Sequence, residues 1–159
     1  GIRQIAVLTP DWPVMNAEVK RYFEDVCLTV VRDTALQCKS WTGIAEVSTA
    51  ECREAIRALD GDDVDAIIQV GTNLSMVRLA AAAELWLGKP VIAINTATYW
   101  HALRANGIRD QKAGFGRLLE AFRPALRAAA AISPPTASGS PSAAQLPWPR
   151  AEPAAHQAA

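Results

Sequence analysis

Apolar positions along this chain follow two alternating patterns. Four short runs are apolar almost without a break: residues 5–8, 28–31, 66–70 and 91–94. Runs of that length, rich in β-branched side chains, predict strands covered on both faces. Between them, apolar residues recur at helical spacing. Met15, Val19, Tyr22, Phe23 and Val26 form one stripe, and Cys52, Ala55, Ile56 and Leu59 form another. The second stripe opens at Ser48-Thr49-Ala50-Glu51, the pattern of a capping box, and ends at Asp60-Gly61. A third helix is predicted from about Ser75 to Leu87, with Gly88 and Pro90 as its stop. A fourth runs from Thr98 to Ala105 and closes at Asn106-Gly107. A last amphipathic stretch carries Phe115, Leu118, Leu119, Phe122 and Leu126.

Helices that separate apolar strands imply right-handed crossovers and a parallel sheet. The predicted fold class is α/β: a flavodoxin-like sheet of four parallel strands, ordered 2-1-3-4, with helices on both faces. This lobe is expected to occupy residues 1–132. From Ser133 the composition changes, and six of the chain's ten prolines fall among Ala, Ser and Gly. Such a segment cannot bury enough apolar surface to offset its ordering entropy, so residues 133–159 are expected to be disordered.

Ligands of open parallel sheets bind at the carboxyl ends of the strands. Each predicted strand here ends in polar groups. The first leads to Thr9, Pro10 and Asp11, and the second to Asp33 and Thr34. The third leads to Gly71, Thr72, Asn73 and Ser75, and the fourth to Asn95, Thr96, Thr98 and Tyr99. The turn Gly71-Thr72-Asn73-Leu74-Ser75 brings free N–H groups, two hydroxyls and an amide to a helix N-terminus, where unpaired donors attract anions. A carboxylate or phosphate is the natural guest. A plainer role, capping the helix, is open to the same residues. The edge suits holding a carboxylate better than splitting water.

Composition narrows the partners. Sixteen basic and sixteen acidic residues cancel, which argues against a nucleic-acid partner. No run of about 18 apolar residues exists to span a membrane. Three cysteines, Cys27, Cys38 and Cys52, lack metal-ligand spacing and read as reduced, cytoplasmic thiols. Two distant histidines make a zinc site a poor fit. No Gly-x-Gly-x-x-Gly or Walker motif supports nucleotide binding. Cys38, within reach of the edge, is a candidate nucleophile, but only Lys39 is at hand to lower its pKa. Cys27 and Cys52 read as packing thiols, His101 as a packing or surface residue, and Glu18, Lys20, Arg21 and Glu24 as a solvated helix face. Trp12, Trp41, Trp86 and Trp100 read as core or interface. The chain starts at Gly1 with neither an initiator Met nor a signal pattern, as expected of a piece of something larger.

Three segments carry a family resemblance: Thr9-Pro10 with Asn16 six residues on, Val70-Gly-Thr-Asn-Leu-Ser75, and Leu87 to Arg104 with Asn95-Thr-Ala-Thr-Tyr-Trp-His at its centre. Together they resemble the aspartate/glutamate racemase superfamily, in the branch of arylmalonate decarboxylase, maleate cis-trans isomerase and the racemase-like proteins of ectoine utilisation. The resemblance covers roughly Ile2 to Leu119. It implies one lobe, the second, of a two-lobe enzyme whose active site lies in the cleft between lobes. It also implies a small carboxylate substrate, no cofactor, and thiols that move a proton at the carbon beside the carboxylate. The cleft would be completed by the first lobe or by a second copy of this chain. Thr72, Asn73 and Ser75 match the carboxylate-pocket motif, and Thr9 matches a cleft-lining position. Gly71 stands where the family places a cysteine, and Asp11 where many relatives have tyrosine. The catalytic group is therefore left unassigned, and substrate binding is expected from Thr9, Gly71, Thr72, Asn73, Ser75, Asn95 and Thr96. The alternative expectation is a non-catalytic carboxylate-binding lobe.

Overall fold

The computed structural model describes residues 1–120. The tail 133–159 and the end of the last amphipathic stretch, with Phe122 and Leu126, lie outside the described residues. Within them the chain forms β1 (Gln4–Thr9), α1 (Pro13–Asp25), β2 (Thr29–Ala35), α2 (Trp41–Glu46), α3 (Thr49–Leu59), β3 (Ala66–Gln69), α4 (Val77–Leu87), β4 (Val91–Ala93), α5 (Ile94–Ala105) and α6 (Arg117–Glu120). The four strands make one sheet in the order β2-β1-β3-β4. All three pairings are parallel. Both the predicted fold class and the strand order are therefore observed.

Side-chain alternation along β1 divides the core in two, because successive residues of a strand face opposite sides of the sheet. Ala6 and Leu8 pack with Ile44, Cys52, Ile56, Leu59, Leu74, Met76 and Ala83 beneath α2, α3 and α4. Ile5 and Val7 pack with Val19, Phe23, Leu28 and Val30 beneath α1. The capping box forms as expected: Ser48 Oγ accepts from the Glu51 N–H, and Glu51 accepts from the Ser48 N–H. Gly88, in the left-handed conformation at φ 70°, ends α4. No helix among the described residues is long and apolar enough to cross a membrane.

Several boundaries differ from expectation, each for a local reason. β2 runs to Ala35 rather than Val31, because Arg32 and Asp33 each find a partner off the sheet: Asp63 for Arg32, Lys20 for Asp33. That pairing also removes Lys20 from the solvated face of α1. The short helix α2 was not foreseen. It is held by its Ser40 cap, whose hydroxyl accepts from the Gly43 N–H at 3.0 Å. α5 starts at Ile94 instead of Thr98, directly from β4 with no loop. The α1 stripe is also only half buried. Val19 and Phe23 face the sheet, but Met15, Tyr22 and Val26 are exposed, and Asn16 is the buried residue of the helix.

Candidate functional site

Because every strand points the same way, the predicted site residues share one edge of the sheet, but they play different parts. Thr9, the last residue of β1, is fully buried, as is Asn16. Thr9 Oγ1 donates to Asn16 Oδ1, Asn16 Nδ2 donates to Asp33 at 2.8 Å, and Lys20 pairs with Asp33. Thr9 thus anchors the end of the strand from inside. Two further strand-end segments are zipped together: Leu36, Gln37 and Cys38 donate their N–H groups to the carbonyls of Thr9, Asp11 and Pro10.

Burial works to raise the Asp33 pKa. Hydrogen bonds from Lys20 and Asn16, with the Lys20 charge, overcome it and hold the carboxyl below its usual range. A depressed folded pKa contributes stability that is fully present above the unfolded value, about pH 4, and is lost as pH falls through the folded value. Urea melts between pH 6 and pH 2 should therefore show a fall in stability below about pH 4 that Asp33→Asn flattens. An equally steep fall in that variant would exclude this network as its source.

Beyond β3 the chain makes the polar turn. Gly71 has φ 112°, a conformation open to glycine, and a Cβ there would sit 2.5 Å from Pro10 Cδ and 2.6 Å from Pro10 Cγ. The buried Gln69 side chain donates to the Gly71 carbonyl at 2.7 Å. Asn73 Nδ2 donates to the Trp41 carbonyl at 3.0 Å, and Asn95 Nδ2 donates to the Thr72 carbonyl at 2.8 Å. These two amides are struts that shape the turn. The helix that follows begins at Val77 rather than Ser75, with Met76 as an N-cap that makes no side-chain hydrogen bond. Thr72, Asn73 and Ser75 therefore do not cap it.

Two adjoining hollows open at this edge. The first, about 360 Å³, is lined by residues 72–78 and Asn95, and so includes the hydroxyl residues Thr72 and Ser75 and the cation Arg78. Arg78 was missed in the sequence, where a single basic residue early in a helix gives no signal. Its guanidinium lies 4.4 Å from the centre of the Phe115 ring, and it reaches the Gly114 carbonyl at 3.4 Å. The second hollow, about 380 Å³, is lined by Val77, Asn95, Thr96, Tyr99, Lys112, Phe115 and Leu119.

Burial, then the charges of Asp11 and Glu51, push the Cys38 pKa up, which disfavours the thiolate. Cys52 is a buried core thiol, while Cys27 is exposed, not packed, at φ 64° after α1. His101 is exposed, as are Trp12, Trp41 and Trp86, so those three tryptophans are not core. Among the described residues, no group of three His, Cys, Asp or Glu gathers to hold a metal.

A parallel α/β lobe with a donor-lined turn beyond its third strand has the build of the aspartate/glutamate racemase-like fold. Sequence and structure comparisons agree. The arylmalonate decarboxylase family model matches residues 1–119, and the chain belongs to that family. It is 23% identical over 126 residues to a maleate isomerase of Alcaligenes faecalis, covering 78% of this chain and 49% of that protein. Maleate cis-trans isomerase of Nocardia farcinica, solved bound to TRIS, superposes with a TM-score of 0.72 at 27% identity, over 75% of this chain and 49% of that one. A crystal structure of arylmalonate decarboxylase gives 0.65 at 26% identity, over 75% and 54%. This chain spans about half the length of these relatives.

Proposed function

We propose that this lobe is the carboxylate-holding half of a cofactor-independent isomerase, racemase or decarboxylase. It would hold a small carboxylate while a proton is moved, or carbon dioxide leaves, at the adjacent carbon. The observation that carries this reading is the hollow beside the Gly71–Ser75 turn, where Thr72, Ser75 and Arg78 meet on a scaffold fixed by Gln69, Asn73 and Asn95. Donors fixed in advance around a carboxylate stabilise the enediolate that forms when the neighbouring carbon loses a substituent. The base or acid comes from elsewhere, because the raised pKa of Cys38 and the glycine at 71 leave this lobe without a poised thiol. The other half of the cleft is supplied by a preceding lobe or by a second copy. Exposed Trp12 and Trp41, at the starts of α1 and α2 on the same edge, support an apposed partner there.

Calorimetric titration with maleate and with phenylmalonate tests the site. Thr72→Ala or Ser75→Ala should weaken binding by about 1.5–3 kcal/mol, the range for losing a hydrogen bond to a charged group. Unchanged affinity in both variants would leave the turn without a ligand.

One observation favours a second reading, a binding lobe with no part in proton transfer. The Pro10 ring lies where a side chain at position 71 would start. Joining this chain to a first lobe that carries a cysteine, then following α-proton exchange, separates the two readings. Exchange supports the enzyme, and its absence with binding intact supports the binding lobe.

A further inference from the structure

The second hollow is not used by the reading above, and it contains an unanswered polar group. Thr96 is only 6% exposed, and its hydroxyl is buried with no hydrogen-bond partner among the described residues. It is the third residue of α5, a twelve-residue helix whose N-cap, Ala93, offers no side-chain cap. The first N–H groups of such a helix have no partner within it and carry the positive end of its dipole. Lys112 lines the same hollow, with Asp110 the nearest acid at 3.9 Å. The remainder of the lining is Asn95, whose amide donates to the Thr72 carbonyl, and the largely apolar Val77, Tyr99, Phe115 and Leu119. Arg78 covers one face of Phe115, and the Glu120 carboxylate accepts from the Gly114 N–H beside it, so Arg78 and Lys112 face Asp110 and Glu120 around the rim. At about 380 Å³ the space far exceeds the ~150 Å³ that admits benzene.

We infer that this hollow is a second binding site, distinct from the Gly71–Ser75 turn, for a monocarboxylate with an aromatic or branched apolar body. The acid group meets Thr96, the start of α5 and Lys112. The apolar body lies against Val77, Phe115 and Leu119. A buried hydroxyl left unpaired costs free energy, and a ligand oxygen removes that cost on binding. The apolar walls reject small hydrophilic anions, which gain nothing by leaving water there.

Benzoate is the probe. Titrated into the isotope-labelled 159-residue chain, it should give saturable amide shifts at residues 94–99 and 112–119. Benzyl alcohol, which lacks the charge, and acetate, which lacks the body, should bind roughly tenfold more weakly or worse. Thr96→Val keeps the shape and removes the hydroxyl, and should weaken benzoate by roughly tenfold. Thr96→Ser should retain binding. A role for Thr96 confined to packing predicts the opposite: benzoate affinity equal in Thr96→Val and the parent. That equality would overturn the inference. So would shifts confined to residues 71–75, shifts that grow without saturating, or unchanged affinity in Lys112→Gln, whose side chain is 45% exposed.

Discussion

Gly71→Ala should destabilise the lobe by about 2–6 kcal/mol, and Gly71→Cys by at least as much, without conferring proton transfer. Two costs combine. A side chain at φ 112° holds the backbone in a region that costs about 1–3 kcal/mol. Its Cβ would also begin 2.5 Å from the Pro10 ring, and overpacking of that kind adds about 1–3 kcal/mol. Pro10 cannot retreat freely, since its carbonyl accepts from the Cys38 N–H at 2.9 Å and Thr9 before it is locked to Asn16. Urea unfolding of both variants is the measurement. A loss below about 1 kcal/mol would show that the Pro10 loop gives way, and a thiol at this position would again be structurally admissible. The point bears on function. Here the backbone beyond β3 is shaped against any side chain at position 71.

The other large effect is expected at Glu84. This carboxylate on α4 is 4% exposed and serves two backbone donors, the Val91 N–H at 3.2 Å and the Arg117 N–H at 2.7 Å. It ties the start of β4 and the start of α6 to one helix. Glu84→Ala strands both N–H groups, at about 1–3 kcal/mol each, for a total of about 2–6 kcal/mol. Glu84→Gln keeps one acceptor and should cost about half as much. Amide exchange at Val91 should quicken in both variants. An Ala variant as stable as the parent, with Val91 still protected, would show that another acceptor takes over.

What could be read in the sequence was what local chemistry decides. The capping box at Ser48 and the glycine stop at Gly88 depend on a few neighbouring residues and stand where expected. Strand order followed from the alternation of elements. The misreadings arose where distant partners decide. Asp33 looks like a strand terminator until Lys20 and Asn16 are brought beside it. Ile94 continues an apolar run, and periodicity over so few residues cannot separate the end of a strand from the start of a helix. In the candidate site, the polar turn was visible as a cluster, but the roles within it were not. Nothing in the local sequence says that Asn73 and Asn95 spend their amides on carbonyls 32 and 23 residues away, or that Arg78 faces the same hollow.

The two rims of the sheet meet the surroundings unequally. β4 is three residues long and offers little backbone for another strand to follow. β2 is seven residues long, and an open strand of that length is a template on which further chains can stack. At its middle stand Arg32 and Asp33, drawn to opposite sides by Asp63 and Lys20. An incoming strand would have to set its own side chains against these fixed charges. The Lys20–Asp33 pair, which steadies the carboxyl end of the sheet, and the Arg32–Asp63 pair near its amino end thus set fixed charges along this edge strand against fibre-like growth when the protein is crowded.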